Sequence, residues 1–388
     1  MDKALYPRFS EAEFSRRHTA ARGLMAVAQV DALVVYGNSG IARHNHADIH
    51  YLSGFLGNRN NYLVLTKTGE PVLFVQSHNH VPNAREASSI RVERGGASSA
   101  VTVAHHLIEA GVRKCAIGYV GEVPVQSYLV WQRELAGCKF EDLTSAFQRL
   151  RLVKSSEEID WLRKGAAFTD AALENLIANV KPGMREYELG ALIESVALAQ
   201  GGLPHLYYLS SAPQEGRGVC VPRQNLSHRV LAKGDVINTE ISISYWGYSG
   251  QAHRPIFLQE QPSELYQWLW DTALESYQRC MACLKAGATS EDVLDAAEVI
   301  AERGFTINDG FLHGFGIGLL PPSIGTRQAQ RGIPKPPFRF EENMCVVVQP
   351  NVVTHDERAG VQLGNLVRIT RDGAECLHKL PLRYYVTA

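Results

Sequence analysis

Three residues are candidates for proton transfer near neutral pH: Glu240, His253 and His313. The run "VINTEISI" places Glu240 in an apolar, strand-like setting, where burial would raise the pKa of its carboxyl group into the range of a general base. His253 precedes Arg254 in the next strand-like run, and an imidazole titrates close to neutral pH. His313 lies in a glycine-rich segment. These residue types predict acid–base chemistry. The structural alternatives are that His253 is a core histidine and that Glu240 belongs to a buried ion pair.

The glycine-rich segment is "DGFLHGFGIGLLPPSIG", residues 309–325. His313 adjoins the glycines and either orients a substrate or caps the loop. Pro321 and Pro322 follow where the helix of a dinucleotide-binding loop would have to begin, so that interpretation is poor. The segment is therefore not interpreted as a dinucleotide-binding loop.

Two other groups of residues have open interpretations. The alternating spacing of histidines 44, 46 and 50 suggests metal binding. The favoured interpretation is that they belong to an N-terminal loop that reaches the pocket of a partner subunit. Arg327, Arg331, Lys335 and Arg339 follow as a basic stretch with prolines, which is either a solvated loop or a lid over an anionic substrate.

The elements that must position these residues fall into two parts. Before residue 154, strand-like runs such as "VDALVVYG" alternate with helical stretches, which predicts an α/β domain. Ser155 and Glu158 then have capping-box spacing before a long helical pattern. Beyond it, "VKPGMREYELGALIESVALAQGG" and "LKAGATSEDVLDAAEVIAERGF" repeat one pattern, and strand-rich hairpins follow both. We predict domains at 1–154 and 155–388, the second a duplicated α+β domain.

Composition excludes several classes of protein. The chain has 388 residues, 45% hydrophobic and 20% charged, with a net charge of −1, which argues against nucleic acid or an anionic membrane as partner. The N-terminal residues lack a signal-type apolar run. Seven cysteines occur without framework spacing, and Cys280 and Cys283 fit a helical core pair. We expect a cytoplasmic protein with reduced thiols.

Six stretches carry a family resemblance. "NHADIHYLSGF" lies in the first part, "RLVKSSEEI" spans the boundary between the two parts, and the second part holds "GDVINTEISISYWGYSGQAHRPIF", "GFGIGLLPPS", "VVVQPNVV" and "GVQLGNLVRIT". Together and in this order they resemble the signatures of the creatinase/prolidase/aminopeptidase P superfamily. The resemblance implies an α/β N-terminal domain followed by a pseudo-twofold α+β domain of the "pita-bread" fold.

The same resemblance identifies five positions that matter for metal binding. Metallopeptidase members hold two divalent ions with two Asp, one His and two Glu. The matching residues here are Glu240, Gln251, Phe315, Gln349 and Gly364. Since a divalent ion needs several anionic oxygens or imidazoles, the resemblance predicts no metal and no other cofactor.

Creatinase shows that this fold can cleave a C–N bond without metal, using a histidine and two glutamates that hold a guanidinium. The histidine position falls at or next to Arg223 and Gln224, and the glutamate positions at His253 and Gln349. Arg59 matches the arginine that the neighbouring subunit's N-terminal domain offers to substrate. Because a buried cation without its counterion costs several kcal/mol, creatine is not the expected substrate.

We therefore predict a metal-independent hydrolase of a C–N bond in a small anionic or neutral polar substrate, acting as a homodimer. A metal-independent lyase or decarboxylase and a non-catalytic binding protein are the alternatives. His253 is preferred as the acid–base group over Glu240, whose alternative is an ion pair with Arg254 or Arg223; His313 is the third catalytic candidate. The predicted substrate-binding residues are Arg223, Arg254, Gln349, Gln251, Phe315, Arg59 and Tyr207, with Tyr208 considered beside Tyr207.

Overall fold

The computed structural model describes residues 5–39, 45–216, 218–329 and 337–388. The chain divides into two compact units, Met1–Arg151 and Leu152–Ala388. No helix in the described ranges is long and apolar enough to cross a membrane. All seven cysteines are free thiols, and Cys280 and Cys283 lie on one helix as predicted.

The first unit is an α/β domain built on one mixed sheet of six strands in the order β4-β3-β2-β1-β5-β6. Strand β1 pairs antiparallel with β2 and parallel with β5, and its six residues are all buried. The strands are β1 Ala32–Gly37, β2 Asn61–Thr66, β3 Val72–Val75, β4 Arg91–Arg94, β5 Ala116–Val120 and β6 Lys139–Asp142. The helices are α1 Glu11–Val27, α2 Ala47–Ser53, α3 Val81–Ala87, α4 Ser99–Glu109, α5 Val125–Glu134 and α6 Thr144–Leu150.

The second unit repeats a helix-helix-strands arrangement, as the sequence echo predicts. Its helices are α7 Ser156–Asn179, α8 Glu188–Ala199, α9 Glu264–Cys283 and α10 Ser290–Glu302. The predicted capping box at the start of α7 is confirmed: the Glu158 N–H donates to Ser155 Oγ, and the Ser155 N–H donates to Glu158 Oε2. The prediction of an α/β domain followed by a duplicated α+β domain is therefore confirmed.

A ten-stranded sheet forms the centre of the second unit. The order along its main path is β12-β11-β13-β16-β9-β8-β10-β18, with β17 on β16 and β7 on β8. These strands are β7 Leu203–Pro213, β8 Asp235–Tyr245, β9 Tyr248–His253, β10 Ile256–Phe257, β11 Leu312–Gly316, β12 Gly318–Ile324, β13 Cys345–Val348, β16 Gly364–Ile369, β17 Ala374–Cys376 and β18 Tyr385–Val386. Strands β14 Asn351–Val353 and β15 Gly360–Gln362 form a separate pair.

Helix α7 fixes the β8–β9 hairpin by close backbone contact. A Cβ at Gly250 would lie 2.2 Å from the Cα of Ala166, and a Cβ at Gly165 would lie 2.4 Å from the carbonyl oxygen of Tyr248. Thr169 Oγ1 donates to the Gly250 carbonyl at 2.9 Å. The two glycines let the helix and the hairpin meet, and this contact holds the strand that carries Gln251.

Strand alternation then decides which side chains share a face. Ile241 and Ala252 are register partners on β8 and β9 and belong to the apolar core beneath α7 and α8. Glu240 and Gln251, each one residue away, must lie on the opposite face. This face carries the polar residues described next.

Candidate active site

Glu240 is a half-buried carboxyl group on β8. Gln251 Nε2 donates to its Oε1 at 2.7 Å. Burial, followed by the charge of Asp309, raises the pKa of Glu240 to about 8, and the bond from Gln251 only partly opposes this. No cation in the described ranges contributes to that pKa, so the alternative of an ion pair with Arg254 or Arg223 is not what the structure contains.

A chain of amide hydrogen bonds leads from Glu240 into the glycine-rich segment. Gln251 Nε2 also donates to Gln349 Oε1 at 3.4 Å, and that oxygen accepts from His313 Nε2 at 3.1 Å. Gln349 Nε2 donates to the Gly310 carbonyl at 3.1 Å and to Asp309 Oδ2 at 3.4 Å. Because an amide N–H₂ group only donates, it must face the Gly310 carbonyl and Asp309, and the amide oxygen Oε1 then faces His313. Since that oxygen only accepts, His313 Nε2 is the donor in their hydrogen bond.

His313 is buried beside this chain. Burial lowers its pKa, and this effect is partly offset by the contacts of the ring nitrogens with the Gly314 carbonyl and Gln349 and by the charge of Asp309. The neutral imidazole carries one proton, which lies on Nε2, so Nδ1 contacts the Gly314 carbonyl oxygen without donating to it. The structure brings together Glu240, Gln251, Gln349 and His313, all four of which the sequence places in the site.

His253, the residue predicted as the general base, lies in an enclosed environment and not beside an open pocket. Its side chain is fully buried, and its Nδ1 has no hydrogen-bond partner among the residues that the structure describes. Burial, then the charges of His313, Arg254 and His378, holds its pKa well below the usual value, so the ring is neutral. Only its Nε2 approaches the network, 3.5 Å from Gln251 Nε2. Glu240, which is partly open to solvent, is the better placed of the two to meet a substrate.

Gly364 is the register partner of His253 on β16, and it has no room for a side chain. A Cβ there would lie 2.4 Å from the Val348 carbonyl oxygen, 2.9 Å from the Gln349 Cα and 3.0 Å from His253 Nδ1. Two of these atoms belong to the backbone and cannot move aside cheaply. The packing therefore requires glycine at this position.

Gly364→Ala should consequently lower the free energy of unfolding by about 1–3 kcal/mol, the usual cost of overpacking a buried position. Urea denaturation of the purified variant measures this directly. Gly373→Ala is the matched control, because a Cβ there meets nothing within 4 Å. Equal stability of both variants would show that the site relaxes without strain.

Arg254 requires a correction. Its guanidinium is fully buried and donates to five acceptors: the carbonyl oxygens of His253, Gly364, Leu380 and Pro381, and Asn365 Oδ1. These bonds use all five of its N–H groups. Arg254 is therefore a structural residue that joins β9, β16 and the C-terminal segment, and the predicted contact with substrate is wrong.

Two other arginines were predicted to contact the substrate. Arg223 is exposed, its main chain pairs with Leu209, and among the described residues it does not contribute to the pKa of Glu240. Arg59 is exposed in the first unit, has a φ of 71°, and its N–H donates to Ser39 Oγ. Its role in the partner subunit's site stays a prediction.

The two tyrosines on β7 face opposite sides of the sheet. Tyr208 is the register partner of Glu240, whose charge helps to raise the pKa of this phenol, although burial is the larger cause. Tyr207 is the register partner of Ile241, and its hydroxyl donates to Glu194 Oε1 at 2.6 Å. The prediction chose Tyr207 for the pocket; alternation assigns that place to Tyr208.

Aromatic rings line the other side of the network. Phe315 is fully buried, with its ring centroid 5.6 Å from that of His313 and 5.9 Å from that of His205. His205 Nδ1 lies 2.5 Å from Ser249 Oγ. Sequence reasoning missed His205 and Asp309. Asp309 heads the glycine-rich segment, but its partners Gln349 and Gln362 are distant in the chain.

The remaining candidates have structural partners or are not described. His46 and His50 are buried at the start and within α2, whereas His44 lies outside the described residues. Arg327 forms ion pairs with Glu291 and Asp295 on α10. Arg339 donates to the Gly287 carbonyl, and positions 331 and 335 of the basic stretch are outside the described residues.

The donor set does not fit a divalent ion. At the five positions that hold metal in the superfamily, the chain presents one carboxylate, two amides already bonded to each other, an aromatic ring and a glycine whose Cβ would strike backbone. Divalent cations in proteins are held by several anionic oxygens or imidazoles. Across the described ranges, no group of three or more His, Cys, Asp or Glu residues is arranged to hold a metal.

Comparison with known proteins agrees with the two-unit architecture. The family model "Creatinase/Prolidase N-terminal domain" matches residues 17–153, and the model "Metallopeptidase family M24" matches residues 160–371. An uncharacterized hydrolase/peptidase, y4tL of Sinorhizobium fredii, is 27% identical over 96% of this chain and 96% of its own. Creatinase of a Bacillus species is 23% identical over 97% of this chain and 92% of its own. The X-Pro aminopeptidase structure from Thermotoga maritima has a TM-score of 0.80 at 20% identity, covering 95% of this chain and 99% of that one.

Proposed function

Because the chain belongs to metallopeptidase family M24, yet its side chains do not suit the metal of such enzymes, we propose that it hydrolyses a C–N bond without a metal ion. One observation carries the proposal. Glu240, Gln251 and Gln349 form a continuous hydrogen-bonded chain at three positions where metal ligands are expected. Neutral amides thus replace the carboxylates, and a single carboxyl group with a raised pKa is left for chemistry.

Glu240 is the proposed general base. A pKa of about 8 lies near the working pH, which suits a group that must both accept and return a proton. Its carboxylate takes a proton from water as the water attacks the carbon of the C–N bond. It then returns the proton to the departing nitrogen, so the step consumes water and leaves Glu240 unchanged.

Gln349 is the proposed stabiliser of the oxygen on which charge develops. Its longer N–H contact, 3.4 Å to Asp309 Oδ2, is the weaker of its two donated bonds, so a substrate oxygen could replace Asp309 as the acceptor of that N–H. A donor aimed at the developing charge is a common source of transition-state stabilisation. His313 orients Gln349 through the bond from its Nε2.

The printed names of the relatives favour two kinds of C–N bond. One is the non-peptide bond that creatinase's name implies, and the other is the bond before proline named in the X-Pro aminopeptidase. A small non-peptide substrate is our first proposal, because the side chains at the family's metal positions do not suit the metal on which its peptidases depend. An X-Pro peptide is the second candidate. The homodimer, a role for Arg59 in the partner's site and a cytoplasmic location remain proposals.

Turnover tests this function directly. The protein, dialysed against EDTA, is given a panel of small amides, ureas, amidines and X-Pro dipeptides, and released amine or ammonia is measured. We expect release from at least one non-peptide compound, with ¹⁸O from labelled water in the product. Release without ¹⁸O would indicate a lyase, and no release from any compound would favour a binding protein.

A further inference from the structure

The first unit carries two thiols side by side at the start of two neighbouring strands. Cys115 directly precedes β5, and Cys138 directly precedes β6. The strands are parallel and begin in register, with Ala116 opposite Lys139, and the Lys139 N–H donates to the Cys115 carbonyl at 2.8 Å. The two cysteines are therefore neighbours across one strand spacing, and their Sγ atoms lie 3.8 Å apart.

This placement meets the backbone requirement of a disulfide. Strands in a sheet lie about 4.8 Å apart, and disulfides join Cα atoms that are about 4.4–6.8 Å apart. Rotation of the two short side chains about their Cα–Cβ bonds is then enough to bring the sulfur atoms together. Both thiols are half-buried, so a dissolved reagent can reach them.

The two thiols differ in how firmly they hold their protons. The Asp31 carboxylate, which also pairs with Lys67, accepts a hydrogen bond from the Cys115 thiol. Burial is the largest cause that raises the pKa of Cys115 to about 12, followed by the hydrogen bond and the charge of Cys138 and then the charge of Asp31. Because the thiolate is the nucleophile, Cys138 is the thiol that attacks first.

The other pair of cysteines, Cys280 and Cys283 on α9, serves as a comparison. Cys280 is fully buried in the apolar core, and burial raises the pKa of its thiol well above the usual value. Cys283 is half-buried, and its Sγ donates to the Cys280 carbonyl at 3.1 Å. Since a dissolved reagent reaches only one of these two sulfur atoms, this pair is not the expected site of oxidation.

We propose that Cys115 and Cys138 are a modification site at which a low-molecular-weight disulfide oxidises the two thiols to a reversible intramolecular disulfide. The site lies within the first unit, and the inference goes beyond the proposed hydrolysis and does not depend on it.

The exchange takes place in two balanced steps. The Cys138 thiolate attacks one sulfur of the small disulfide, whose S–S bond breaks and releases one small thiolate. Cys138 then no longer raises the pKa of Cys115 by its charge. Cys115 loses its proton, attacks the Cys138 sulfur and expels the second small thiolate. Two protein thiols are oxidised, one small disulfide is reduced, and the two protons from the protein end on the two small thiols.

A peptide map of the wild-type full chain tests the proposal. The reduced protein is freed of reductant, incubated with glutathione disulfide, quenched in acid, alkylated and digested without reduction. We expect one linked pair of peptides, which joins Cys115 to Cys138, accounts for two of the seven thiols and disappears after treatment with dithiothreitol. Glutathione on separate cysteines without a linked pair overturns the proposal, as does a link confined to Cys280 and Cys283.

Single variants test the order of attack, with circular dichroism as the check on folding. Cys115→Ser should stop at the first step and keep glutathione on Cys138. Cys138→Ser should bind glutathione at position 115 at least about tenfold more slowly, because the remaining thiol holds its proton. Equal rates in the two variants would contradict Cys138 as the attacking thiol.

Cys283→Ser is the matched control, because it removes another half-buried thiol. It should form the link between Cys115 and Cys138 as completely as the wild type does. Loss of that link in Cys283→Ser would assign the oxidation to a different pair of cysteines and overturn the proposal.

Discussion

Replacing Glu240 by glutamine should lower kcat/KM by roughly 10²–10⁴-fold, the usual contribution of a general base. Glutamine keeps the size of the side chain and can still accept the hydrogen bond from Gln251, so the fold should persist. Steady-state kinetics of the purified variant, with circular dichroism as the check on folding, measures the effect. His253→Asn is the comparison: because His253 is fully buried, its loss should cost activity far less. If His253→Asn were the more damaging change, the sequence-based preference for His253 would be correct and Glu240 would not be the base.

The same assignment fixes the direction of the pH profile. The active form is the carboxylate, and the pKa of Glu240 in the free protein is about 8. The value of kcat/KM should therefore rise with pH through about 8 and level off above it. A kcat/KM that falls as pH rises through 8 would mean that protonated Glu240 is the active form.

Arg254→Ala should lower the free energy of unfolding by about 3–5 kcal/mol, the cost of breaking a buried charged network. The substitution removes the arginine donor from the carbonyl oxygens of His253, Gly364 and Leu380 and from the Asn365 side chain. The Pro381 carbonyl keeps the bond from the Tyr385 hydroxyl. Chemical denaturation followed by fluorescence gives the value. Arg223→Ala is the matched control, and as an exposed residue it should change stability by no more than about 0.5 kcal/mol.

Arg254→Lys refines this test. Lysine has three donors on one point and cannot reach five acceptors that surround a planar group, so most of the loss should remain. A stable Arg254→Ala protein with reduced ligand binding would restore the substrate-binding role that the sequence predicted.

Local spacing and motif order predicted much of the fold and part of the site. The capping box identified the start of α7, and the repeated helical pattern identified the duplication. The spacing of the glycines at 314, 316 and 318 identified the position of Phe315, whose ring lies near that of His313. Glu240, Gln251 and Gln349 could be found because each lies in a stretch that resembles a signature of the family.

The predictions were wrong or incomplete for residues whose role depends on contacts with residues that are distant in the sequence. Arg254 is saturated by residues 364, 365, 380 and 381, which no local pattern connects to it. Tyr207 was preferred to Tyr208 although strand alternation with Glu240 could have separated them. Asp309 was overlooked because its significance lies in its contacts with Gln349 and Gln362. The predicted charge of the ligand rested on Arg254 together with His253, Arg223, Gln349 and Gln251, and it stays a prediction.

The most direct test of the account is turnover measured together with metal content on one preparation. The purified protein is analysed for manganese, iron, cobalt and zinc, then assayed before and after dialysis against EDTA with the best substrate of the panel. The account predicts no stoichiometric divalent ion and the same kcat/KM before and after chelation. One or two bound ions per chain, with activity lost on chelation and restored by the metal, would contradict it.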